Sequence, residues 1–113
     1  MVDKKALKEL YKQTKPDMGL YAISFGPGTQ VYVGSAADLR GVINGTKARL
    51  AGGMHAGARL QADFDKYGAE NMIIEVVERL DYDEDESKTD YKEDLEVLQD
   101  MWLEKHPGTL KVK

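Results

Sequence analysis

Apolar positions along the chain follow two periods, and the period changes where glycine and proline accumulate. From Val2 to Gln13, residues Val2, Ala6, Leu7, Leu10 and Tyr11 recur at helical spacing, and the pattern stops before Pro16. Two short β-branched and aromatic runs follow, GLYAISF (19–25) and QVYVGS (30–35), separated by the turn-forming set Gly26-Pro27-Gly28-Thr29, which predicts a β-hairpin. Asp38 is placed to cap a helix running to about Leu50, with Leu39, Val42, Ile43, Thr46 and Leu50 along one side. Gly41 and Gly45 each cost that helix about 1 kcal/mol relative to alanine, so packing has to hold it. After Gly52-Gly53, residues 55–68 predict another helix with Leu60, Phe64 and Tyr67 inward and Gly68 as its stop. MIIEVVERL (72–80) predicts a third strand, apolar enough to be central. An acidic loop (81–90) leads into a last helix from Tyr91 to Lys105, with Leu95, Leu98, Met101 and Trp102 on its buried stripe and Pro107-Gly108 closing it. The order α-β-β-α-α-β-α defines an α+β class: a small three-stranded, mainly antiparallel sheet, hairpin first, flanked by helices. No internal repeat is present.

Composition narrows this picture. A chain of 113 residues accommodates one hydrophobic core, so a single domain over 1–113 is expected, with an N-terminal helix in 1–15 and the core in 18–106. Zero cysteines exclude disulfides and thiolate metal sites, and two histidines leave little for a zinc centre. No run approaches the roughly 18 apolar residues of a membrane span, and MVDKKALKEL lacks the apolar stretch of a signal peptide. A cytoplasmic location with no membrane partner is the expectation, in the host cell if the chain is phage-encoded. The net charge of −4 hides an asymmetry, because residues 1–79 carry 11 basic against 9 acidic side chains, and residues 80–113 carry 5 against 11. An acidic chain is a weak candidate for tight nonspecific DNA binding, which depends on neutralising phosphates.

Certain tripeptides carry chemistry. Gly19-Leu20-Tyr21 on the first predicted strand and Tyr32-Val33-Gly34 on the second are followed by Ser35-Ala36-Ala37-Asp38-Leu39, then by Gly53-Met54-His55, Leu60-Gln61, Phe64 and Lys66-Tyr67-Gly68. Together they resemble the GIY-YIG nuclease domain, most nearly that of phage homing endonucleases, over about residues 18–106. A lone G-x-Y carries no weight, whereas two such tripeptides on one hairpin, followed by a helix pair and a Trp-Leu helix, form a specific set.

The resemblance implies one-metal hydrolysis of a DNA phosphodiester with Mg²⁺ or Mn²⁺. In that chemistry a strand tyrosine helps activate water, and an arginine on the first core helix steadies the phosphate. A histidine or tyrosine one turn later joins the proton relay, and a glutamate on the last helix holds the ion. The arginine fork matches two phosphate oxygens, and a hard cation needs an anionic oxygen ligand. Carried over position by position, Tyr21 and Tyr32 survive, and His55 matches a histidine of the phage branch. The arginine position falls on Val42, the relay position on Thr46 and, anchored on Trp102, the metal glutamate on Gln99. Arg40 sits about 200° around the helix from Val42 and is expected to point elsewhere. A shifted register would give the metal to Glu96, at the cost of displacing Trp102 from the core.

Simpler readings stand beside these. Tyr21 and Tyr32 pack across half-buried strands by default. His55 at a helix start caps or faces solvent, and Gln99, on an apolar stripe, is expected to be buried and hydrogen-bonded. The acidic run is either a solvated loop or a patch, through Asp83, Glu84, Asp85 and Glu86, that engages a basic protein.

The expectation is therefore a GIY-YIG-like domain that has lost DNA hydrolysis, needs no cofactor, and acts by binding as an inhibitor, regulator or adaptor. Its partner would be a protein such as a nuclease or defence factor. The alternative is an active nuclease using Glu96 with Arg40 or Lys47. The chain ends eleven residues after Trp102, so no separate DNA-targeting module is expected after the domain. Residual nucleic-acid contact would use Arg40, Lys47, Arg49, Arg59 and Lys66, and would be weak and salt-dependent.

Overall fold

The computed structural model describes residues 15–55 and 57–112, so the helix expected over Val2 to Gln13 lies outside the described residues. Strands β1 (Met18–Ser24) and β2 (Tyr32–Ala36) form the expected antiparallel hairpin, with Tyr21 opposite Gly34 and Ile23 opposite Tyr32. Its turn is closed by Thr29, whose Oγ1 accepts from the Phe25 amide at 3.0 Å and donates to the Gly26 carbonyl at 2.6 Å. Gly26 and Gly28 take positive φ there, which glycine adopts without steric cost.

Helix α1 (Leu39–Ala51) begins where the cap was expected, with Asp38 Oδ1 accepting from the Gly41 amide at 3.1 Å. Helix α2 (Ala58–Tyr67) starts three residues later than the 55–68 pattern suggested. His55 instead serves the loop, where its Nδ1 accepts from the Gly57 amide at 2.9 Å, while Gln61 Oε1 accepts from the His55 amide at 3.1 Å. Gly68, at φ 84°, ends α2 as expected.

Strand β3 (Ile73–Leu80) pairs antiparallel with β1, and here the sequence expectation needs correcting. β3 is an edge strand, and Ile73 and Val76 are exposed, whereas β1 is central and buried almost throughout. An apolar run reports apolar side chains and not the strand's place in the sheet, which depends on pairing. The pairing is close at Gly19, where any Cβ would collide with the Glu78 carbonyl oxygen. A bulge between Leu20 and Tyr21 then shifts the register by one residue.

Helix α3 (Lys92–Lys105) is followed by a fourth strand, β4 (Leu110–Lys111), parallel to β2. The sheet order is therefore β3-β1-β2-β4, one strand more than expected, and Val112 extends the core past residue 106. Two residues are too few to show a strand period in the sequence.

The helices cover opposite faces of the sheet. Tyr21, Ile23, Tyr32 and Ala36 share one face and cluster with Leu39 and Leu50 of α1 and Leu60 of α2. Met18, on the other face by strand alternation, clusters with Tyr91 and Leu95 at the start of α3. Met101 departs from its expected place on the buried stripe. It is 50% exposed and lines a shallow groove with Leu80, Val97 and Leu98, about 100° around the helix from the half-buried Trp102. Among the described residues, no helix is long and apolar enough to cross a membrane.

Candidate functional site

β4 covers β2 only at Tyr32 and Val33, so the edge of β2 at Gly34 and Ser35 is left open. A cavity of about 290 Å³ lies there, with side chains reaching it from β1, α1, α3, β4 and the loop before α2. Tyr21 contributes from β1, and Gly34 explains how its ring fits. A Cβ at position 34 would lie 2.6 Å from the phenol, so only glycine on β2 lets the ring lie across the neighbouring strand.

Helix α1 presents Val42, Thr46 and Arg49 to the cavity, at i, i+4 and i+7 on one face. Arg49 runs back along the helix, with Nη1 3.5 Å from where a Cβ on Gly45 would be, an ordinary contact distance. His55 enters from the loop in the orientation set by the Gly57 amide, which leaves the proton of the neutral ring on Nε2. Gln99 contributes from α3 and Lys111 from β4.

The electrostatics of the cavity are one-sided. Arg49 and Lys111 line it, and among the described residues no aspartate or glutamate does. Neither cation forms a salt bridge among the described residues, where the ion pairs are Arg79 with Asp17 and Lys88 with Asp94. Burial raises the pKa of Tyr21, while the Thr46 hydroxyl and the Arg49 charge pull it back. Thr46 is 1% exposed, and its Oγ1 makes no hydrogen bond of ordinary geometry among the described residues.

The structure thus brings together Tyr21, His55, Val42, Thr46 and Gln99, five positions spread from residue 21 to residue 99 of the sequence. Gln99 is half-buried, more open than its expected buried setting, because it borders the cavity. Tyr32 goes elsewhere. Its hydroxyl donates to Asp63 Oδ2 on α2 at 2.5 Å, and its pKa is pushed up to about 12 by burial first and then by Asp63, with Arg59 opposing. Glu96 is exposed, one turn before Gln99, and does not line the cavity.

The basic residues do not form one patch. Arg40 borders a separate depression with Asp17, Asp38 and Arg79, and Lys47 lies about 200° around α1 from Arg49. Arg59 accompanies Tyr32, and Lys66 Nζ sits 5.1 Å over the Tyr67 ring. Asp83, Glu84, Asp85 and Glu86 are all exposed, in a loop shaped by its own hydrogen bonds. The Asp85 amide donates to Asp83 Oδ1 at 2.9 Å, and the Ser87 hydroxyl donates to Asp85 Oδ1 at 2.6 Å and lowers that carboxyl's pKa.

Sequence reasoning missed the cavity role of Arg49, which it grouped with surface cations, and missed Lys111 altogether. The seven-residue step from Val42 to Arg49 was a usable signal for the first. No sequence pattern placed Lys111, because β4 itself was unpredicted.

The fold is similar to that of the catalytic domain of the homing endonuclease I-TevI, with a TM-score of 0.66 and 21% identity, covering 85% of this chain and 98% of that one. A second structure, the catalytic domain of intron endonuclease I-TevI with a glutamate-to-alanine substitution, gives 0.66 at 22% identity, covering 86% and 94%. No protein-family model and no curated protein matches the sequence. The chain therefore has a GIY-YIG-like α+β fold, with four strands in its sheet.

Proposed function

We propose that this GIY-YIG-like domain does not hydrolyse DNA and acts by binding. The observation that carries the reading is that Gln99 borders a cavity whose lining, among the described residues, includes Arg49 and Lys111 and no aspartate or glutamate. Nuclease chemistry of the kind the fold suggests needs a divalent cation beside the Gln99 position of the last helix. An amide is a neutral ligand, Mg²⁺ demands anionic oxygen, and two resident cations repel a third. The residues present do not fit that ion. Val42 and Thr46 add no charge on the α1 side, and loss of one preorganised charge costs such sites about a hundredfold or more in rate. Arg49 supplies a cation near Tyr21, but without an anionic ligand it does not restore the metal.

The binding partner in this reading is a protein with a basic surface, met by the exposed loop at Asp83, Glu84, Asp85 and Glu86. Duplex DNA is disfavoured by the net charge of −4 and by the scatter of Arg40, Lys47 and Arg59 over separate faces. The role would be that of an inhibitor, regulator or adaptor of a nuclease or defence factor.

The test is incubation of the purified protein with supercoiled plasmid and Mg²⁺ or Mn²⁺. No nicking above background is expected. Metal-dependent nicking that disappears in a Tyr21→Phe variant overturns the proposal.

A further inference from the structure

The cavity combines features that the loss of hydrolysis does not require. A site that had merely decayed would not need two cations, neither in a salt bridge among the described residues, facing a buried hydroxyl. Arg49 and Lys111 reach it from α1 and β4, Tyr21 from β1 and Gln99 from α3, so donors surround the space and do not line one wall. Thr46 adds a fully buried hydroxyl whose proton turns toward the Tyr21 phenol oxygen, which leaves the phenol's own proton to donate into the cavity. At about 290 Å³ the cavity is at the small end of ligand pockets, which run from about 300 to 1,000 Å³.

We propose that this cavity receives a terminal phosphate group, a monoester or free phosphate, held by Arg49 and Lys111 with directional donors from Tyr21 and Gln99, Thr46 supporting the Tyr21 phenol from behind. Two cations match a group that carries about two negative charges at neutral pH, whereas an internal phosphodiester carries one. Donors converging from four elements match a tetrahedral oxyanion better than a planar carboxylate. The inference rests on the reading of the cavity as unable to hold a divalent cation, and plasmid nicking tests that reading independently of phosphate binding.

The experiment is a titration of the full chain with inorganic phosphate, followed by amide chemical shifts, with chloride exchanged to hold ionic strength constant. Saturable shifts are expected at Gly34, Thr46 and Gln99. Arg49→Gln and Lys111→Gln should each weaken binding about tenfold or more, as loss of a charge-assisted hydrogen bond does. Thr46→Val should weaken it about threefold to tenfold, with the folded spectrum retained. Lys92→Gln removes the same charge from an exposed position on α3 and should change nothing. Parallel titrations with a nucleoside 5′-monophosphate and with a 5′-phosphorylated oligonucleotide identify the source by which of the three binds tightest. Absence of saturable shifts, or shifts that survive the Arg49→Gln, Lys111→Gln double variant, overturns the proposal. Equal binding of the same oligonucleotide without its 5′-phosphate also overturns it.

Discussion

Tyr21 and Tyr32 stand on the same face of adjacent strands, two residues apart in register, yet their hydroxyls meet different surroundings. Tyr21 faces the cavity, beside Thr46 and Arg49. Tyr32 is 1% exposed and is tied to Asp63 on α2. Position on a hairpin therefore decides which face a tyrosine covers, and the helix that covers the face decides its chemistry. The Asp63 carboxylate turns one phenol into a structural tie, while the open edge beyond β4 leaves the other next to a basic space.

The largest effect should come from Gly34→Ala. The new Cβ would meet the Tyr21 ring at 2.6 Å, and the ring is confined by α1, so a loss of about 3 kcal/mol in chemical denaturation is expected. Combining it with Tyr21→Ala should recover part of that loss, a coupling that a double-mutant cycle measures directly. Additive losses would show that the two residues do not interfere.

Tyr32→Phe should come next, at about 2 kcal/mol, because it leaves the half-buried Asp63 carboxylate without its donor. Tyr21→Phe should cost only about 0.5 kcal/mol, since its hydroxyl has no comparable partner. Equal costs would remove the distinction between the two tyrosines.

A smaller effect should appear at alkaline pH. The Tyr32 pKa is raised from 10.0 to about 12 in the folded protein, so between these values the unfolded chain releases its proton first. Stability should therefore be steady below pH 10 and fall as pH rises toward 12. Tyr32→Phe should flatten this decline more than Tyr21→Phe, whose raised pKa acts in the same direction. Urea midpoints taken across this range check the order.

These contrasts also show what the sequence disclosed. Helix α1 was legible in cap and stripe, because Asp38 and the Leu39-to-Leu50 spacing are local signals. So was the hairpin, where glycines and Thr29 set the turn. The edge position of β3 was not, since an identical apolar run suits either place until its neighbours are known. The convergence of Val42, Thr46 and Gln99 with Tyr21 and His55 followed from the resemblance and depended on the fold being right. The diversion of Tyr32 was invisible, because its partner Asp63 lies 31 residues away on a helix whose approach is a tertiary matter. Lys111 was hidden for the same reason, on a strand defined only by pairing with β2.

The central claim is that a cavity bordered by Gln99, Arg49 and Lys111 does not retain a divalent cation. It is tested most directly by following amide signals of the isotope-labelled protein during Mn²⁺ addition, alongside a Gln99→Glu variant. No selective broadening is expected at Gly34, Thr46 or residue 99 in the wild-type protein, and broadening is expected there once the carboxylate is supplied. Selective broadening of those signals in the wild type would contradict it.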